Sequence, residues 1–124
     1  MMDLTRIVAL LIALVLTILI ELGVLHLLGE RQKRVLWSSV AVNVLTNVPL
    51  NTILYYYEVD DVGIILGEVI VVVVEALWYF AFLKSWKKAV VYSVFCNVIS
   101  FLAGLVLLLL LLSVTFYHSL GVLE

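Results

Sequence analysis

The sequence predicts an all-α integral membrane protein. A single transmembrane domain holds four helices, built from two parallel helical-hairpin repeats (about 1–57 and 62–118), with both termini extracytoplasmic. Three observations predict this: composition, the spacing of apolar runs, and the placement of basic residues. Of the 124 residues, 66% are apolar and 13% charged, and the mean hydropathy is +1.29. Soluble domains run at roughly 45–50% apolar and about 25% charged. A water-soluble globule of this size leaves too much of its area exposed to hide so much apolar surface. The composition therefore excludes a soluble enzyme, a disordered chain and a nucleic-acid-binding module.

A membrane helix needs about 20 mostly apolar residues, and four stretches supply them. The first runs from about Ile7 to Leu28 and the second, the most polar, from about Val35 to Tyr57. The third runs from about Val62 to Leu83, and the fourth from about Ala89 to Tyr117, including the leucine tract Leu107 to Leu112. The first is too long for a cleaved signal peptide and ends in Glu30-Arg31-Gln32-Lys33-Arg34. The connections 29–34, 58–61 and 84–88 are short, which makes consecutive helices antiparallel neighbours. Six of the seven basic residues lie in the first and third connections, Arg6 being the seventh, whereas the second carries Glu58, Asp60 and Asp61. By the positive-inside rule, 29–34 and 84–88 face the cytoplasm. Trp37 and Trp86 then mark the inner boundary, and Tyr55, Tyr56, Tyr57 and Tyr117 the outer one.

A shift of 54 positions lays Glu21 on Glu75, Lys33 on Lys87, Arg34 on Lys88, Ser39 on Ser93, Asn43 on Asn97 and Thr46 on Ser100. Apolar matches are cheap in such a chain; polar matches at one offset carry the expectation of a duplicated hairpin. Each unit contributes two spans, so both enter the membrane in the same direction, as parallel repeats do.

The residues expected to carry function are the polar ones inside the spans. Glu21 and Glu75 each lie nine positions before the inner connection (Glu30, Lys84), and Asn43 and Asn97 nine after it (Arg34, Lys88). At about 1.5 Å per residue, all four sit roughly 13 Å from the inner boundary. The expected site is therefore a twofold Glu/Asn layer binding a proton, a cation or a small polar substrate, because intramembrane carboxylates are functional by default. A secondary stripe is expected from Asn47 and Asn51 on the second helix, Glu68 and Tyr79 on the third, and Ser93 and Ser100 on the fourth, with Gly104 extending a small-residue face. These stripes are expected to point toward one another. Pro49 removes the helical donor to the Leu45 carbonyl. His26, His118 and Cys96 are expected to be inert.

Catalytic signatures are missing from the sequence. It has no Glu-x-x-His pair, no His-Glu-x-x-His, no Gly-rich phosphate loop and no nucleophile elbow. One cysteine excludes an intrachain disulfide and a thiolate cluster. The expectation is a non-enzymatic small transporter or ion-coupled carrier of the cell membrane, without cofactor or resident metal. It would work with lipid around it and as a homodimer or beside a partner membrane subunit. The alternative is a non-catalytic subunit or assembly scaffold whose polar layer fixes helix packing.

Overall fold

Four helices account for almost the whole chain in the computed structural model, which describes residues 4–57 and 59–119. They are α1 (Leu4–Leu27), α2 (Lys33–Tyr57), α3 (Asp61–Leu83) and α4 (Trp86–Ser119), and no strand occurs among the described residues. Glu58 lies outside the described residues, as do the side chains of Arg6, Tyr55, Tyr117 and His118. Three helices contain stretches long and apolar enough to cross a membrane: Ile7–Leu27, Asp61–Leu83 and Trp86–Phe116. At 25 residues α2 has the length. Its Lys33-Arg34 start and its run of Ser, Thr and Asn keep it from the same apolarity.

The helices pack in a ring. α1 packs beside α2 and α4, and α3 beside α2 and α4, while the backbones of the diagonal pairs stay apart among the described residues. The joints explain why the chain turns where it does. α1 ends in a Schellman motif: Glu30 N–H donates to Leu25 O (2.9 Å) and Gly29 N–H to His26 O (3.1 Å). Gly29 sits at φ +89°, a backbone region open to glycine at no steric cost. The Glu30 carboxylate then accepts the free N–H groups of Arg31 (3.0 Å) and Gln32 (2.8 Å), just ahead of α2. Its other oxygen accepts the Tyr92 hydroxyl of α4 at 3.1 Å. Asp60 caps α3 through Gly63 N–H (2.9 Å), and Lys84 closes it in the left-handed conformation (φ 53°). Phe80 stacks on Trp86 across the 84–85 connection, with ring centroids 4.0 Å apart.

The close-packed core occupies one end of the ring, beside the basic connections. Val24, Leu25, Val35, Tyr79, Ala89, Tyr92 and Cys96 form its apolar cluster. Toward the acidic connection the packing stops abruptly. Among the described residues, nothing in α1 before Glu21, in α2 after Thr46, in α3 before Val71 or in α4 after Asn97 is buried. The leucines from 107 to 112 are all exposed, and a Cβ on Gly104 would meet nothing within 4 Å. The expected close approach along the small face of α4 therefore happens at Ser93, whose hydroxyl donates to Val72 O at 2.6 Å, and not at Gly104.

Candidate functional site: a buried Glu/Asn layer

The boundary of that core is the polar layer. Glu21, Asn43 and Glu75 are wholly buried, and Asn97 nearly so. Asn43 Nδ2 on α2 donates to Glu21 Oε2 on α1, and Asn97 Nδ2 on α4 donates to Glu75 Oε2 on α3. Both amides also donate to a carbonyl one turn back, Ser39 O at 3.1 Å and Ser93 O at 2.9 Å. The helix geometry makes the match possible: four residues place Ser39 and Asn43, or Ser93 and Asn97, on one face. Buried positions also correspond at the 54-residue shift: Glu21 with Glu75, Leu25 with Tyr79, Val35 with Ala89, Ser39 with Ser93, Val42 with Cys96 and Asn43 with Asn97.

The two Glu/Asn pairs are linked by Thr46, whose hydroxyl lies 3.2 Å from Glu75 Oε1 and 2.9 Å from Val42 O. Its counterpart Ser100 is close enough to Glu21 to interact with it, but donates to Asn97 O at 3.1 Å. Glu75 thus has both carboxylate oxygens engaged. Glu21 has one, and its Oε1 is buried without a partner. The hydroxyls of Ser39 and Tyr79 are likewise buried and unpartnered. The hydrogen-bond partners of Glu21 and Glu75 are amides and a hydroxyl, with no basic side chain among them.

The secondary stripe divides. Asn47 Nδ2 donates to Asn43 Oδ1 (3.0 Å), and Asn51 Nδ2 to Asn47 O (2.8 Å), which continues the amide row away from the core. Asn47 and Asn51 line a groove of about 140 Å³ between α1 and α2 with Leu14 and Ile7. Glu68 lines another, of about 370 Å³, between α3 and α4, where it shares walls with Asn97 and Phe101. The expected convergence of the stripes holds at Tyr79, Ser93 and the Glu/Asn layer, and fails at Asn51 and Glu68. A four-residue repeat advances about 40° per step on a helix of 3.6 residues per turn, so the asparagine row drifts around α2 toward α1. His26 is exposed, and Cys96 is a buried free thiol whose Sγ lies 3.8 Å from Glu21 O.

Sequence reasoning passed over Thr46, Ser39 and Glu30 as working residues. Thr46 and Ser39 lie three and four positions from Asn43, on its face, and that spacing was the available signal. Glu30 is the acid inside a basic connection, directly ahead of a helix start, a position that suits an N-terminal cap. Family models, curated proteins and solved structures offer no match to this chain.

Proposed function

We propose that the chain is a four-span membrane protein made of two parallel hairpin units, and that its Glu/Asn layer binds a proton or small cation as the working centre of a carrier. The supporting observation is the pair of fully buried carboxylates whose partners are neutral. A buried carboxylate without a basic partner needs a proton or a cation to compensate its charge. The layer also sits at the limit of the packed core, so a parting of the far halves of the helices exposes it without dismantling the apolar cluster. The exposed far half of α4 is where a second copy or a partner subunit would pack. In this reading 29–34 and 84–88 are cytoplasmic. A cysteine placed at the exposed Asp60 is then labelled by an impermeant maleimide added outside intact cells, with little background because Cys96 is buried. Labelling only after permeabilisation reverses the orientation.

The scaffold reading is favoured by one feature: the bonds of the layer join α1 to α2, α3 to α4 and α2 to α3. Flux separates the two. Proteoliposomes of the full chain are expected to move protons, read by an entrapped pH dye, or ²²Na⁺ down an imposed gradient. Glu21→Gln and Glu75→Gln are expected to abolish that movement while helical content is kept. Wild-type vesicles as tight as empty ones to both probes overturn the carrier reading.

A further inference from the structure

Most hydroxyls on these helices are spent locally. Ser38, Thr46, Thr52, Ser100, Ser113 and Thr115 each donate to a carbonyl three or four residues back. Ser39 does not, although it is a neighbour of Ser38 on the same helix and is 1% exposed. Its Oγ is turned into the ring without a bond. Tyr79 is 0% exposed and has an equally unpartnered hydroxyl. The third unpartnered oxygen is Glu21 Oε1, on a side chain also 0% exposed.

These oxygens come from α1, α2 and α3, on the turns that carry or adjoin the Glu/Asn layer. Ser39 is one turn from Asn43, which holds Glu21. Tyr79 is one turn from Glu75 and packs in the same cluster as Leu25, itself one turn from Glu21. The Tyr79 hydroxyl faces Ser39 and lies within electrostatic reach of Glu21. None of the three oxygens reaches a partner in hydrogen-bonding geometry. Isolated buried polar atoms are costly, and native proteins give them partners.

The two carboxylates of the layer differ in just this respect. A proton on Glu75 Oε1 has an acceptor in Thr46 Oγ1, which itself donates to Val42 O. A proton on Glu21 Oε1 has no acceptor in bonding distance. At the 54-residue shift Tyr79 corresponds to Leu25, so the phenol stands on one side of the layer alone. Glu75 is suited to hold a proton, whereas Glu21 Oε1 has, on the neighbouring turns, two other buried oxygens without partners. One carboxylate and two neutral hydroxyl oxygens form a hard donor set, of the kind that suits alkali and alkaline-earth cations and not soft metals. The single formal charge matches a monovalent ion.

We propose that Glu21 Oε1, Ser39 Oγ and Tyr79 Oη are the protein ligands of one small monovalent cation, sodium or lithium in size. The proposal rests on the reading of Glu21 as a cation-binding group and narrows it to a three-oxygen site on one side of the layer.

Equilibrium binding of ²²Na⁺ to the purified full chain in detergent, at constant ionic strength with choline as the replacement ion, tests it without transport. Wild type is expected to bind saturably at one ion per chain, with lithium competing. Glu21→Gln removes binding. Ser39→Ala and Tyr79→Phe weaken it at least about tenfold, and Ser113→Ala on the exposed end of α4 does not change it. Ser39→Cys preserves the volume with a soft sulfur and is expected to fold as wild type while losing affinity, which separates ligation from packing. Absence of saturable binding in wild type, or unchanged affinity in folded Tyr79→Phe and Ser39→Cys, overturns the site. Flux and binding fail separately: proton flux without sodium binding removes this site alone, and sodium binding without flux removes the carrier reading alone.

Discussion

Asn43→Leu is expected to destabilise the protein by about 1–3 kcal/mol, the cost of stranding a buried polar group. The average hydrogen bond between membrane helices is worth only about 0.6 kcal/mol. This substitution exceeds that figure because it removes more than one contact. It deletes the donor to Glu21 Oε2 and the acceptor of Asn47 Nδ2. Glu21 already has one oxygen without a partner, so the variant leaves both without one. Asn97→Leu removes the matching donor to Glu75 Oε2, but Thr46 remains on Oε1, so the loss should be smaller. Adding Glu21→Leu to Asn43→Leu is expected to recover most of the stability, since an apolar pair strands no carboxylate. Unfolding in mixed micelles, followed by circular dichroism, reads all three variants. Equal losses for Asn43→Leu and the double variant would show that the bond, and not the stranded acid, dominates.

Glu30→Ala is expected to cost about 2 kcal/mol, combining two lost backbone bonds in the first connection with a stranded hydroxyl. The carboxylate holds two N–H groups ahead of α2 and the Tyr92 hydroxyl of α4. It therefore ties the first connection to the start of the last helix. Tyr92→Phe removes only the third of these bonds and is expected to cost about 1 kcal/mol. In a Glu30→Ala background the same change is expected to cost almost nothing, because contacting residues are not additive. Full additivity in the double-mutant cycle would show that the 3.1 Å contact carries no stability.

The helices were legible because length and apolarity set them, and their ends fall within a few residues of those expected. The Glu/Asn pairing was legible too. Equal distances from the basic connections put Glu21 beside Asn43 and Glu75 beside Asn97, and the observed bonds join those residues. Rotational drift was the part that counting depth could not reach. Asn51 and Glu68 share a level on paper but open into different grooves, because the four-residue amide row of α2 advances about 40° at each step and carries Asn51 toward α1. The roles of Ser39 and Tyr79 depend on rotamers and on what faces them, and a one-dimensional pattern holds neither. Glu30 read as a marker of the span's end, because its role depends on the N–H groups and the Tyr92 hydroxyl that the turn brings to it.

The one-sided placement of the apolar cluster has a mechanical consequence. Leu25, Val35, Tyr79 and Tyr92 join the four helices at one end like the pivot of a pair of tongs, and the long, less buried arms beyond Glu21 and Asn97 give leverage about it. A force that separates the arm tips parts outer contacts such as Leu50 on Gly67 and then meets the two acid–amide clasps. Those clasps are therefore the latch of the molecule as well as its most polar point.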